Sequence, residues 1–480
     1  MFHVVTVGWA PLQVERLWRQ IEERSGDRCS HIVHPRFVAR QFRGAPSRVR
    51  LRFFRDDLSQ RMPEPDLELL TSLEQEGVPT IHNMILGDRV VSRLDYQVAL
   101  AYATFLAKRL IELFGELDPS VVIGDFDGLH GGVALAVARR MKIPWFALHF
   151  GVLPSGMVCL CKDQSPAVRE QVVTGSPSAA WAETLLKRFE HKSVRAPAYI
   201  APRQLSLMGE LRKLPARMIA VGRTMRRARL RDGWQFTEEA TDYSVGAAVR
   251  NLLRARAAGK AISKVGTLDV PPDMPFVFFG LHMQPESTVD VWAPFFSNQM
   301  WVIELLSRAI PPSHKLLVKI HKSDVANYSQ KQLGQMKSFP GVEIVRPFAD
   351  SRAFVEAADL VVAIQGTLGL EAALLGIPVI MLGNSPITLF PSATRVGEIS
   401  DLPKLIRSKL AESRPDRSKI IEAYVSYLSP FMPAGHNNWT VEPTTEEVDG
   451  YVNVFRNLKN FLTSRPIVAA QERSAGFRSG

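Results

Sequence analysis

Residues 365–367, Gln365-Gly366-Thr367, separate an apolar run over 360–364 from a helical stretch over 368–375. An apolar run entering a helix through such a turn reads as a strand of a parallel sheet, and ligands collect at the carboxyl ends of these strands. Gly366 lets a ligand approach the backbone, and Thr367 has the side chain of a helix cap. The free N–H groups of the helix start suit a phosphate. Glu371 lies four residues after Thr367 on the same helical face, where its carboxylate can accept hydrogen bonds from ribose hydroxyls. The bland alternative is an ordinary strand–turn–helix with a solvent-facing glutamate.

Two further strand ends gather polar groups in the same half of the chain. His321-Lys322-Ser323 follows the apolar run 315–320, so His321 can contact a phosphate while Lys322 adds charge. The loop 281–288 collects His282, Gln284, Glu286, Ser287 and Thr288, and the helix after it holds Asn298, Gln299 and Glu304. In the first half, Gly124-Asp125-Phe126-Asp127-Gly128 ends a strand with two carboxylates beside glycines. That pattern suits a catalytic base or nucleophile. Asp125, nearer the strand, is the expected acting group. Asp127 is its helper or a helix cap, and Glu286 is the reserve carboxylate. His149 to Pro154 ends the next strand and is expected to line the same cleft.

The elements that position these residues alternate between strand and helix. Apolar runs at 2–8, 49–54, 120–124 and 143–148 read as strands of a first domain, with helices at about 12–23, 94–114 and 129–140. A second series of strands at 275–281, 315–320, 342–345, 360–364 and 378–382 reads as another domain, with a helix at 353–358 among the connections. Such continuous apolar strands belong to parallel sheets covered on both faces. The expected organisation is an N-terminal Rossmann-like, acceptor-side domain over 1–200 and a basic helical connector over 201–265. A C-terminal Rossmann-like, nucleotide-sugar-binding domain follows over 266–440, then a helix over 441–463 and a disordered tail over 464–480.

At 480 residues the chain is too long for one core. Its three cysteines, Cys29, Cys159 and Cys161, exclude a disulfide scaffold and show no metal-ligand spacing, so they read as buried thiols of a reducing compartment. No run approaches the roughly 20 apolar residues of a membrane span, and nothing near the N-terminus reads as a signal peptide. The expected location is therefore cytoplasmic. The net charge of +11 is concentrated, since residues 203–264 carry 14 Lys/Arg against 5 Asp/Glu, a net +9. No nucleic-acid module accompanies this patch, so its expected partner is an anionic membrane surface, with the enzyme peripheral on the inner membrane.

The second domain resembles the capsule polysaccharide biosynthesis family. The resemblance rests on His282-Met-Gln-Pro-Glu286, Ser297-Asn-Gln-Met-Trp-Val-Ile-Glu-Leu-Leu306, Leu317-Val-Lys-Ile-His321 and the stretch from Gln365 to Val379. It is firm over 275–384 and weaker over 120–163, where Gly151-Val-Leu-Pro154 is similar to the family's cleft segment. The family includes Kdo transferases that use CMP-Kdo. It implies a GT-B fold, two Rossmann-like domains facing across a cleft, with His321 and the 365–367 turn binding the nucleotide. His282, Gln284, Lys322 and Glu371 complete the expected donor site. The family usually has His-Pro where this chain has His321-Lys322. The expected activity is glycosyl transfer from a nucleotide-sugar donor to a polysaccharide or lipid-linked acceptor, with no cofactor. A nucleotide-sugar 2-epimerase and a non-catalytic assembly subunit are the alternatives.

Overall fold

The computed structural model describes residues 1–8, 11–33, 50–53, 63–75, 77–89, 91–173, 175–192, 266–322, 324, 328–435 and 443–464. The basic stretch from Arg203 to Lys264 and the tail beyond Ser464 lie outside the described residues. The chain divides into two compact units, Met1–Gly175 with Pro430–Gly480, and Ser176–Ser429. Both are α/β with a Rossmann-like sheet.

In the first unit β1 (His3–Val7), β2 (Arg28–Val33), β3 (Arg50–Phe53), β4 (Val121–Gly124) and β5 (Trp145–Phe150) form parallel pairs in the order β3-β2-β1-β4-β5. The sheet is extended by antiparallel β6 (Met157–Cys161), which pairs with β5, with β7 (Arg169–Glu170) and with β14 (Met432–Pro433), the last strand among the described residues. Val4, Val5, Val121, Val122 and Ile123 are fully buried, as parallel central strands require. The strand β2 is absent from the sequence expectation because its residues Ser30 and His31 are polar. Both are buried and satisfied: His3 Nε2 meets Ser30 Oγ at 2.8 Å, and His31 Nδ1 meets Thr6 Oγ1 at 2.6 Å.

The helices Pro11–Ser25 and Thr445–Ser464 share one core on this sheet. Val448, Tyr451, Val452, Phe455 and Leu458 recur at helical spacing and are buried, with the Phe455 ring 5.0 Å from that of Trp18. Arg24 to Asp449 (2.5 Å) and Lys459 to Asp27 (2.6 Å) tie the rims. The final helix, expected to stand apart over 441–463, is therefore part of the first unit. The helix Ala179–Glu190, expected in the first domain, clusters instead with the second unit. There Arg417 donates two hydrogen bonds to Glu190, at 2.5 and 3.0 Å, and Arg352 lies 4.0 Å over the Phe189 ring.

The second unit holds β8 (Phe276–Gly280), β9 (Lys315–Lys319), β10 (Val342–Val345), β11 (Leu360–Ala363), β12 (Val379–Met381) and β13 (Ala393–Arg395). All pairs are parallel, in the order β10-β9-β8-β11-β12-β13. The order of connection reverses between β8 and β11, as it does between β1 and β4 in the first unit. Such a switch point opens a crevice beyond the strand carboxyl ends. Cys29, Cys159 and Cys161 are free and buried. No helix among the described residues is long and apolar enough to cross a membrane.

Candidate functional site

At the switch point of the second unit, Gly366 follows β11 with φ 85° and ψ −171°, a conformation open to glycine and closed to other residues. It is the N-cap of the helix Thr367–Leu374, and among the described residues no side chain caps that helix. Thr367, expected to cap, is instead the first helical residue, because the backbone turns one position earlier. Gln365 contributes its backbone here. Its side chain is buried and its Nε2 donates to the Asn384 carbonyl at 2.5 Å, which ties the turn after β12 to the turn after β11.

His282 reaches this turn from β8. The Gln365 N–H donates to His282 Nε2 at 3.4 Å, and a β-carbon on Gly366 would stand 2.9 Å from His282 Cε1. Burial, reinforced by neighbouring His321, pushes the His282 imidazole down to about 4, so it is neutral at ordinary pH. His321, half-buried past the end of β9, is also lowered, first by burial and then by Lys319 and Lys322. Lys319 is itself buried, donates to the Pro347 carbonyl at 2.5 Å, and is pushed down to about 8, chiefly by burial. Lys322 is exposed beside it. The structure thus brings His282, His321 and the open helix start together at one sheet edge, with lysine charge behind them.

Glu371 is half-buried in the second turn of the helix Thr367–Leu374, and no hydrogen bond or ion pair holds its carboxylate among the described residues. Burial pushes it up to about 7, against the pull of Arg352 and with the help of Asp350. In the loop after β8, Gln284 Nε2 donates to Asp290 Oδ1 at 2.8 Å and the Glu286 N–H donates to Asp290 Oδ2 at 2.9 Å. Glu286 is the N-cap of the short helix Ser287–Asp290 without capping through its side chain.

The corresponding turn in the first unit is built differently. Asp125 is half-buried after β4, where a β-carbon on Gly8 would stand 2.9 Å from its own β-carbon. Asp127, expected as helper or cap, gives the helix Gly128–Arg140 no side-chain cap; its carboxylate pairs with Arg89 at 2.5 Å. The capping carboxylate is Asp88, buried, whose Oδ2 accepts the Leu129 N–H at 3.1 Å and whose Oδ1 accepts the Val91 N–H at 3.0 Å. Gly128 makes room for it, since a β-carbon there would meet Oδ2 at 2.7 Å. His149 is buried and donates through Nε2 to the Gln164 carbonyl at 2.9 Å. Its ring stacks on Phe126 at 5.0 Å, and burial pushes it down to about 3. It supports the 125–127 loop as a neutral ring.

Residues 233–428 match the family model described as capsule polysaccharide biosynthesis protein. The matched stretch is less than half of the chain. It contains the whole second sheet with His282, His321, Gly366 and Glu371. No curated protein matches the chain significantly. Among solved structures it is similar to a UDP-GlcNAc 2-epimerase of Methanocaldococcus jannaschii in complex with UDP-GlcNAc and UDP. The identity is 13% and the TM-score 0.30, over 89% of this chain and 99% of that one. It is also similar to two structures of KpsC from Thermosulfurimonas dismutans. For the β Kdo 2,4 transferase the identity is 14% and the TM-score 0.32, over 72% of this chain and 94% of that one. For the β Kdo 2,7 transferase they are 12% and 0.33, over 73% and 89%.

Proposed function

We propose that this chain is a glycosyltransferase of the GT-B class in capsule polysaccharide synthesis, binding a nucleotide-sugar donor at the switch point of its second unit. The observation that carries the reading is the contrast between the two helix starts. In the first unit the N-terminus of the helix Gly128–Arg140 already holds a carboxylate, that of Asp88. In the second, the helix Thr367–Leu374 begins at a glycine with no side-chain cap, beside two histidines and Lys322. A helix start left open, with lysine charge behind the neighbouring neutral imidazole, favours an anion through its free N–H groups and dipole. The donor's phosphate fits that position. Glu371, one turn along, then accepts hydrogen bonds from the ribose.

In this reading His321, Lys322, Gly366 and Thr367 contact the phosphate and Asp125 is the carboxylate acting on the sugar, either as nucleophile or as base toward the acceptor. Asp127, tied to Arg89, holds the loop, and Glu286 is the second carboxylate to test. The acceptor is a polysaccharide or its lipid-linked form. The basic stretch 203–264 meets an anionic membrane surface, with the enzyme peripheral on the inner membrane. A thermal-shift series with CMP, UDP, GDP and dTDP tests the donor site, because a nucleotide that binds only the native state raises the melting temperature by mass action. One nucleotide giving a saturable shift supports the reading; four flat responses overturn it.

A further inference from the structure

Gln299 is 3% exposed at the first position of the helix Gln299–Ala309, and among the described residues its carboxamide bonds only to the loop after β8. Its Oε1 accepts the His282 N–H at 2.8 Å. Its Nε2 donates to the His282 carbonyl at 3.0 Å and to Gln284 Oε1 at 2.9 Å. A single carboxamide thus grips both backbone groups of the residue that carries the imidazole, much as a neighbouring strand would. Gln284 continues the chain of bonds to Asp290, which in turn accepts the Glu286 N–H. The loop is held through its backbone at His282 and at Glu286 by the side chains of two helical residues, Gln299 and Asp290.

The grip has a chemical consequence at the ring. Nε2 of His282 accepts the Gln365 N–H, and a neutral imidazole carries one proton, so that proton resides on Nδ1. Nδ1 is a hydrogen-bond donor beside Gly366, at the open start of the helix Thr367–Leu374. We propose that Gln299 is a positioning residue that holds His282 as the Nδ1–H tautomer, so that a neutral imidazole adds one fixed donor to the backbone N–H groups receiving the donor's phosphate. The carboxamide is suited to this because it offers an acceptor and two donors at once. A carboxylate in its place would set oxygen against the His282 carbonyl and against Gln284 Oε1, and leucine would leave both backbone groups of His282 unpaired.

This rests on the nucleotide reading for its ligand, but the tautomer is a property of the protein alone, and the test keeps the two apart. Imidazole nitrogen shifts of the ligand-free protein, with His282 assigned through His282→Asn, should show Nδ1 protonated and Nε2 bare. Gln299→Leu and Gln299→Glu should each return the ring toward the Nε2–H form that free histidine prefers. Each should also weaken UDP or CMP binding about tenfold or more by calorimetry, the scale of a hydrogen bond to a charged group. Melting temperatures are read for both variants, and the tautomer of the parent, which needs no variant to fold, keeps the proposal falsifiable if either one unfolds. A parent protein with Nε2 protonated overturns the proposal, as do folded Gln299 variants that keep both the tautomer and the affinity. A parent that binds neither nucleotide overturns the donor-site reading, and the nitrogen shifts still decide the clamp.

Discussion

His282 and Gly366 are matched across the switch point: a β-carbon at 366 would stand 2.9 Å from Cε1 of the imidazole. The glycine's φ of 85° with ψ near 180° adds a backbone reason for the same residue. Gly366→Ala should therefore lower stability by about 1–3 kcal/mol and cost most of the nucleotide affinity. Gly115→Ala is the control, an interior helical position where a β-carbon meets nothing within 4 Å. It should gain up to ~1 kcal/mol. Denaturant melts and calorimetry on the two variants check this, and equal effects would remove the special role of position 366.

Glu371 should make the site respond to pH near neutrality. Its carboxyl is raised to about 7 by burial, so between the ordinary glutamate value of 4.5 and 7 the folded protein holds a proton that the unfolded chain has lost. Stability from this group is then lost as pH rises through that window, and Glu371→Gln should stabilise the protein by about 1–3 kcal/mol at pH 8 with little effect at pH 4. Ribose hydroxyls donate best to the ionised form. Affinity for a nucleoside diphosphate sugar should thus rise roughly five- to tenfold from pH 6 to pH 8 in the parent and stay flat in Glu371→Gln. Parallel pH profiles in the two proteins would place the titrating group elsewhere.

Asp125 and Asp127 should separate by role. Asp125→Asn should reduce transfer about a hundredfold with donor affinity nearly unchanged, the usual scale for losing a general base. Asp127→Asn loses its partner Arg89 and should act on stability first, with a smaller loss of rate. Transfer assays with one purified donor, run beside Glu286→Gln, distinguish them. Full activity in both aspartate variants would move the acting carboxylate to another residue.

Asp88 should behave as a purely structural acid. Its carboxylate receives the N–H groups of Val91 and Leu129 in a buried position, so Asp88→Ala should cost about 2 kcal/mol or more. Nucleotide affinity of the folded variant should equal that of the parent. A loss of affinity without a loss of melting temperature would show that the first helix start takes part in ligand binding after all.

The basic stretch predicts salt-sensitive adhesion. With a net +9 over 203–264, the protein should cosediment with anionic vesicles at low salt and be released as ionic strength rises. Reversing Arg223, Arg226, Arg227 and Arg229 to glutamate should abolish the adhesion. Binding that ignores salt would rule out a charge-driven contact.

The two Rossmann-like sheets, the central strands and the helix Thr367–Leu374 were legible in the amino-acid sequence, because buried parallel strands need continuous apolar runs and the next helix begins at a glycine. The strand ends carrying His282, His321, Asp125 and Gly366 followed from that rhythm alone. The sequence could not reveal partnerships between distant residues. Asp88 caps a helix whose bonded N–H is 41 residues away, and Asp127, locally the natural cap, turns instead to Arg89, 38 residues back. The polar strand β2 hid for the same reason, since Ser30 and His31 are tolerable in a core only where His3 and Thr6 meet them. Residue types and spacing specify which groups reach a strand end. Which of them stay free for a ligand is decided by folding, because a buried polar group must find its partner somewhere, and the tertiary structure settles which groups are already taken.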